Sequence, residues 1–72
     1  MPKYINGKCL LRQQLNKSGM TQTDLAIKTG IAKSQINAYI HDNQTMTLSV
    51  ARTIAVALNC HIDDLYEWIR IR

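Results

Sequence analysis

The twenty residues from Gln22 to His41, QTDLAIKTGIAKSQINAYIH, constrain this chain more than any other stretch. Leu25 and Ala26 stand at the fourth and fifth places, Gly30 at the ninth, Ile31 at the tenth, Ile36 at the fifteenth and Tyr39 at the eighteenth. A small residue at the fifth place lets two helices cross closely. Glycine at the ninth permits positive φ in a short turn, and the later apolar positions anchor a second helix. The spacing therefore predicts a helix over Gln22 to Thr29, a tight turn, and a second helix from Ala32 or Lys33 to about His41.

The flanking sequence supplies a scaffold for that pair. A first helix is expected from Asn6 or Gly7 to about Ser18, with Leu11 and Leu15 at i, i+4 and Cys9 or Leu10 widening its apolar face. Gly19 ends it, and Met20 turns inward. Thr21 and Asp24 have the spacing of a capping box for the next helix. After a polar loop, Asp42 to Met46, Thr47 reads as the N-cap of a fourth helix, whose apolar face is Val50, Ala51, Ile54, Ala55, Ala57 and Leu58. Asn59 can close that helix in the left-handed conformation. A short fifth helix then begins at His61, with Asp63 and Asp64 favouring the positive end of its dipole. The last four residues, Ile-Arg-Ile-Arg, alternate apolar and basic with period two and fit a strand, which could pair with Lys3 to Ile5 of the same chain or with another subunit. Trp68 is the largest apolar side chain present. It is expected to cover the small core, with a dimer contact shared with Ile69 and Ile71 as the alternative.

The outward face of the second motif helix carries Lys33, Ser34, Asn37, Ala38 and His41, and no apolar residue larger than alanine interrupts it. Such a face can be merely wet, yet its chemistry suits base edges in a major groove. Lys33 can donate to guanine or to phosphate, Asn37 can bond adenine bidentately, Ser34 can serve either way, and the Ala38 methyl can touch a thymine methyl. Gln22 and Thr23 lie in the first turn of the preceding helix, where an outward amide and free backbone N–H groups can reach a phosphate.

Composition narrows the remaining choices. The formal net charge is +4, as +5 over residues 1 to 60 and −1 over the remainder, which suits a polyanionic partner and is also an ordinary solubility device. With 72 residues the chain has room for one domain, residues 1–72, and buries only ~60% of the surface that its unfolded form exposes. Cys9 and Cys60 lack metal-ligand spacing and read as small buried thiols in a reducing compartment, so a cytoplasmic location is expected. No apolar run approaches the ~20 residues of a membrane span. There is no nucleophile with a base beside it, no Gly-rich phosphate loop and no metal cluster, and the pair His41 and His61 lacks supporting ligands. Enzyme chemistry, cofactors, metals and small-molecule substrates are therefore not expected.

Two segments, GMTQTDLAIKTGIAKSQI (Gly19 to Ile36) and LSVARTIAVALNCHIDDLYEW (Leu48 to Trp68), closely resemble Cro/phage-repressor type helix-turn-helix proteins of the Xre family. The resemblance covers roughly residues 8 to 67 and is nearest to small single-domain bacterial members. It implies an all-α fold, a compact five-helix lambda-repressor-like DNA-binding domain to which short N- and C-terminal strands can be added. Carried over, the base-contacting positions are Lys33, Ser34, Asn37 and Ala38, and Gln22 takes a phosphate position. His41 and Asn43 fall in a following loop that resembles one touching the DNA backbone. The sequence departs from the pattern at four places. Ala32 replaces a capping serine, Ala38 often corresponds to arginine, Asp42 replaces a loop glycine, and His61 replaces a Ser or Thr at the last helix start. A carboxylate at Asp42 close to DNA would oppose binding.

The expected function is sequence-specific recognition of double-stranded DNA by a transcriptional regulator, a homodimeric repressor reading an inverted repeat. The competing expectation is a protein-interaction module of antitoxin or anti-repressor type on the same fold, which Trp68, Ile69, Ile71 and the sparsely charged recognition face would favour.

Overall fold

The structure, a computed structural model, describes residues 3–71. Along the chain run strand β1 (Lys3–Cys9), helices α1 (Leu11–Ser18), α2 (Gln22–Thr29), α3 (Lys33–Ile40) and α4 (Leu48–Leu58), a 3-10 turn (Ile62–Leu65) and strand β2 (Tyr66–Ile71). Local chemistry sets most of these boundaries. Gly19 and Gly30 close α1 and α2 in the left-handed region, with φ of 67° and 76°, and Asn59 does the same for α4 at φ 55°. Thr21 caps α2 through a reciprocal pair. Its hydroxyl accepts from the Asp24 N–H at 3.1 Å, and its own N–H donates to the Asp24 carboxylate at 3.0 Å. The Thr47 hydroxyl accepts from the Val50 N–H at the start of α4.

The helices enclose a core in which Leu11, Leu25, Ile36, Ile54 and Leu65 are fully buried. Each such side chain contributes about 1.5–3 kcal/mol relative to exposure. Ile36, Tyr39 and Ile40 form the inward face of α3, and Ala26 and Ile31 pack against the same cluster. The glycine at position 30 and the alanine at position 26 thus do what their spacing predicts: one turns the chain, the other keeps α2 close.

The all-α, five-helix expectation is corrected at both ends of the chain. Among the described residues there are four α-helices, and the place of the fifth is a single 3-10 turn. That turn is opened by Asp64, whose carboxylate accepts from the His61 N–H at 3.0 Å. The first helix does not begin at Asn6 or Gly7, because residues up to Cys9 pair with the tail instead. β1 and β2 form an antiparallel ribbon in the register Lys3–Ile71, Ile5–Ile69, Asn6–Trp68 and Cys9–Tyr66, with a bulge between Asn6 and Cys9. The Leu10 N–H donates to the Leu65 carbonyl at 2.8 Å, which holds the base of the ribbon where α1 begins. Pro2 and Arg72, which the sequence places in the arm and the tail, lie outside the described residues.

The bulge sends Cys9 and Tyr66 into the core, so Cys9 is a strand residue and not part of the α1 face. Met46, expected in a polar loop, is also buried, and its N–H donates to the Tyr66 hydroxyl at 3.0 Å. Trp68 covers the core only at its margin. It remains 46% exposed, donates its indole N–H to the Asp63 carbonyl at 2.9 Å, and meets the Tyr66 ring edge-on at 6.3 Å. Burial pushes the thiol pKa of both Cys9 and Cys60 upward, so both stay protonated and unreactive at neutral pH. No helix among the described residues is long and apolar enough to cross a membrane.

Candidate nucleic-acid interface

With Ile36, Tyr39 and Ile40 fixed inward, helical periodicity turns the remaining positions of α3 out. Lys33, Ser34 and Asn37 are exposed, and Ala38 is half-buried. The helix is eight residues long, about 12 Å, and starts without a side-chain cap at Ala32, as the loss of the serine predicts. Its outward surface is therefore short, polar and shallow, with Lys33 at the N-terminal end.

Thr23 is exposed and Gln22 half-buried at the start of α2. The first N–H groups of a helix have no partner within it, and the capping box engages only that of Asp24. Hydrogen bonds from Thr21 hold the Asp24 carboxyl below the usual range, so it stays ionised beside Gln22. An anion approaching here would meet a neutral amide and backbone N–H groups with a nearby negative charge. Any phosphate contact at this end rests on hydrogen bonding more than on charge.

In the loop after α3, Asp42 is exposed and bonded back to the ribbon. This residue adopts positive φ, 59°, which explains why a glycine can stand there. Its carboxylate points back to the ribbon and accepts from the Cys9 N–H at 3.1 Å. The Asn43 N–H donates to the Ala38 carbonyl at 2.9 Å, and the Gln35 amide bonds to both Tyr39 and Gln44. His41 and Asn43 are left exposed on a loop fastened on two sides.

The structure also adds two residues that were absent from the sequence-derived site. Lys8 and Arg12 line an open polar groove of about 360 Å³ together with Cys9, Gln13, Ile40 and His41, at the C-terminal end of α3. Both cations are exposed. In sequence they belong to a presumed first helix with no evident relation to α3. The Asp42–Cys9 bond, 33 residues apart in the chain, and the core shared by Cys9, Leu11 and Ile40 join this region to the end of α3, and only the positive balance of residues 1 to 60 hinted at it. The face of α3 is thus bracketed, with Lys33 at one end and Lys8 and Arg12 at the other. Trp68, Ile69 and Ile71, the expected dimer contacts, are on the ribbon and take no part in this face. No group of three or more metal-binding side chains is assembled among the described residues.

Comparison with known proteins bears on the family and the fold. The family model of the Cro/C1-type HTH DNA-binding domain matches residues 10–70. The chain is 36% identical over 69 residues to the SPbeta prophage-derived uncharacterized HTH-type transcriptional regulator YopS of Bacillus subtilis (strain 168), spanning 94% of this chain and 93% of that protein. It is 32% identical over 59 residues to a second SPbeta prophage-derived regulator of the same organism, YotL, spanning 81% of this chain and 74% of the other. The crystal structure of the transcriptional regulator VanUg superposes with a TM-score of 0.67 at 24% identity, covering 97% of this chain and 89% of that one, and so shares its fold. The match over residues 10–70, the inward anchoring of α2 and α3 around Gly30, and the two prophage relatives establish that this chain belongs to the Cro/C1-type helix-turn-helix DNA-binding family.

Proposed function

We propose that the protein is a sequence-specific, double-stranded DNA-binding transcriptional regulator, and that residues 1–72 act as one helix-turn-helix unit in the cytoplasm. The observation that carries this reading is the exposed polar face of α3 with cations at both ends. A helix fits the major groove, which is about 12 Å wide. Lys33, Ser34, Asn37 and Ala38 would meet base edges. Gln22 and Thr23 on one side, and His41, Asn43, Lys8 and Arg12 on the other, would meet the two phosphate backbones. No catalytic step is involved, since the chemistry is recognition alone.

One eight-residue helix reads only a few base pairs, so useful selectivity requires two copies on an inverted repeat with half-sites about one helical turn, ~34 Å, apart. Repression by occupancy of such a site follows most simply, because nothing beyond binding is asked of the chain. The test is selection of bound sequences from a random duplex pool, followed by gel shift with Asn37→Ala. A palindromic consensus is expected. The substitution should cost roughly 1–3 kcal/mol of binding and relax preference at one base position. Absence of binding to any duplex at low salt would overturn the proposal.

A further inference from the structure

The register of the β1–β2 ribbon shifts beside the C-terminal end of α3. Between the pairs Asn6–Trp68 and Cys9–Tyr66, two residues of β1, Gly7 and Lys8, oppose the single residue Glu67 of β2. A bulge of this kind re-aims a side chain and locally breaks the ladder of backbone bonds. The side chain is Lys8, exposed on the groove that it shares with Arg12 and His41. The backbone group next to it is the N–H of Cys9, a residue only 4% exposed, and it donates to Asp42 Oδ1 at 3.1 Å. A buried N–H left without an acceptor is costly, so this bond ties the loop after α3 to the strand.

Asp42 stands in the left-handed region at φ 59°, where glycine is at ease, so the backbone gives no reason to prefer an aspartate. What the residue adds is its side chain. The loop has other anchors: the Asn43 N–H donates to the Ala38 carbonyl at 2.9 Å, and Gln44 accepts from the Gln35 amide. Both fasten the loop to its own helix. Among the described residues, the bond from Cys9 to Asp42 is the one hydrogen bond that fastens it to β1.

We propose that Asp42 is a positioning residue for DNA binding, which holds Lys8 in one row with His41 and Asn43 against a phosphate backbone; this rests on the DNA-binding reading above. Simple electrostatics predicts the opposite sign. A carboxylate near DNA repels phosphate, so by charge alone every variant that removes it binds more tightly. By position, the effect depends on whether an acceptor for the Cys9 N–H remains. Asparagine keeps a side-chain oxygen and tolerates the left-handed backbone, whereas glycine fits the backbone and offers no acceptor. Neither substitution touches the core cluster of Cys9, Leu11 and Ile40, so the glycine frees the loop and the bulge and leaves the fold in place.

Fluorescence anisotropy with the duplex recovered by the selection above, in potassium chloride from about 50 to about 200 mM, tests it. Asp42→Asn should bind at least as tightly as the wild type. Asp42→Gly should bind roughly tenfold more weakly, with the slope of log affinity against log salt shallower by about one unit, the share of one lysine–phosphate contact. In a Lys8→Ala background Asp42→Gly should add little, while its full effect should persist in a Lys33→Ala background, at the other end of α3. Asparagine and glycine variants that both bind more tightly than the wild type would reduce Asp42 to a repulsive charge and overturn the inference. Equal binding by all three overturns it too, as does a glycine effect that adds in full to that of Lys8→Ala, the result that a general loss of stability produces. Amide exchange followed by NMR without DNA keeps the two readings apart, because the Cys9 N–H should exchange faster in Asp42→Gly than in Asp42→Asn or the wild type. No binding of any duplex by the wild type, with that ordering intact, overturns DNA recognition and this role with it. Wild-type binding with no difference in exchange overturns the positioning role alone.

Discussion

The α2–turn–α3 unit and the β1–β2 ribbon are built from interactions of different range. In the first, a capping box spans three residues, a left-handed glycine joins two short helices, and three inward side chains fix the angle between them. In the second, residues near one end of the chain find partners near the other, and Tyr4, Ile5, Trp68 and Ile69 remain exposed on the product. Short-range rules determine the first region, so its boundaries are insensitive to what surrounds it. The second depends on the helical body to bring its strands together, and it carries its apolar residues outward as well as inward.

The sharpest way to break this contrast is a matched pair of truncations. Ile36→Ala in α3 removes a fully buried side chain and should cost about 2–5 kcal/mol. Ile69→Ala on the half-exposed outer face should cost under about 1 kcal/mol in the monomer. Urea unfolding midpoints of both variants decide it, and equal losses would mean that the ribbon is as much core as the helices are. The junction between the regions comes next. Tyr66→Phe deletes the acceptor of the buried Met46 N–H and should destabilise by about 1–3 kcal/mol in the same assay. A neutral result would show that the ribbon is held by packing and not by that bond.

A smaller and opposite effect is expected at the uncapped start of α3. Ala32→Ser should stabilise by about 1 kcal/mol, seen as a raised melting temperature, because the helix now starts with no side-chain acceptor. The smallest effect concerns Asp24. Its carboxyl pKa is lowered by the bonds from Thr21, so it contributes stability above the ordinary carboxylate pKa, and that contribution is lost as pH falls through the lowered value. Unfolding midpoints measured from about pH 5 to about pH 2 should show a shallower acid dependence for Asp24→Asn than for the wild type. An identical slope would remove the box from the account of α2.

These contrasts explain which parts of the molecule could be read in advance. Gly19, Gly30, Thr21, Thr47 and Asn59 end or begin helices for reasons contained within a few neighbouring residues, and each does so in the structure. The expectation of a helix over Asn6 to Leu10 failed because Leu11 and Leu15 signal α1 correctly but say nothing of what precedes them. The strand character of Lys3–Cys9 exists only through its partner, Tyr66–Ile71. Met46 lies in the loop as expected, but its burial was not legible there, since its N–H meets the Tyr66 hydroxyl twenty residues further along.

The candidate site divides along the same line. The sequence by itself determined the outward face of α3, because the periodicity of an eight-residue helix with three inward apolar residues leaves Lys33, Ser34, Asn37 and Ala38 on it. Read that way, the face carries a single full positive charge. Only the tertiary structure decided that Lys8 and Arg12 stand at its far end and that the Asp42 carboxylate is turned back to the Cys9 N–H, doubt about the loop having rested on that carboxylate. The physical reason is that a helix face is fixed by bonds four residues long, whereas the charge around it depends on contacts between segments more than thirty residues apart, which no local pattern encodes.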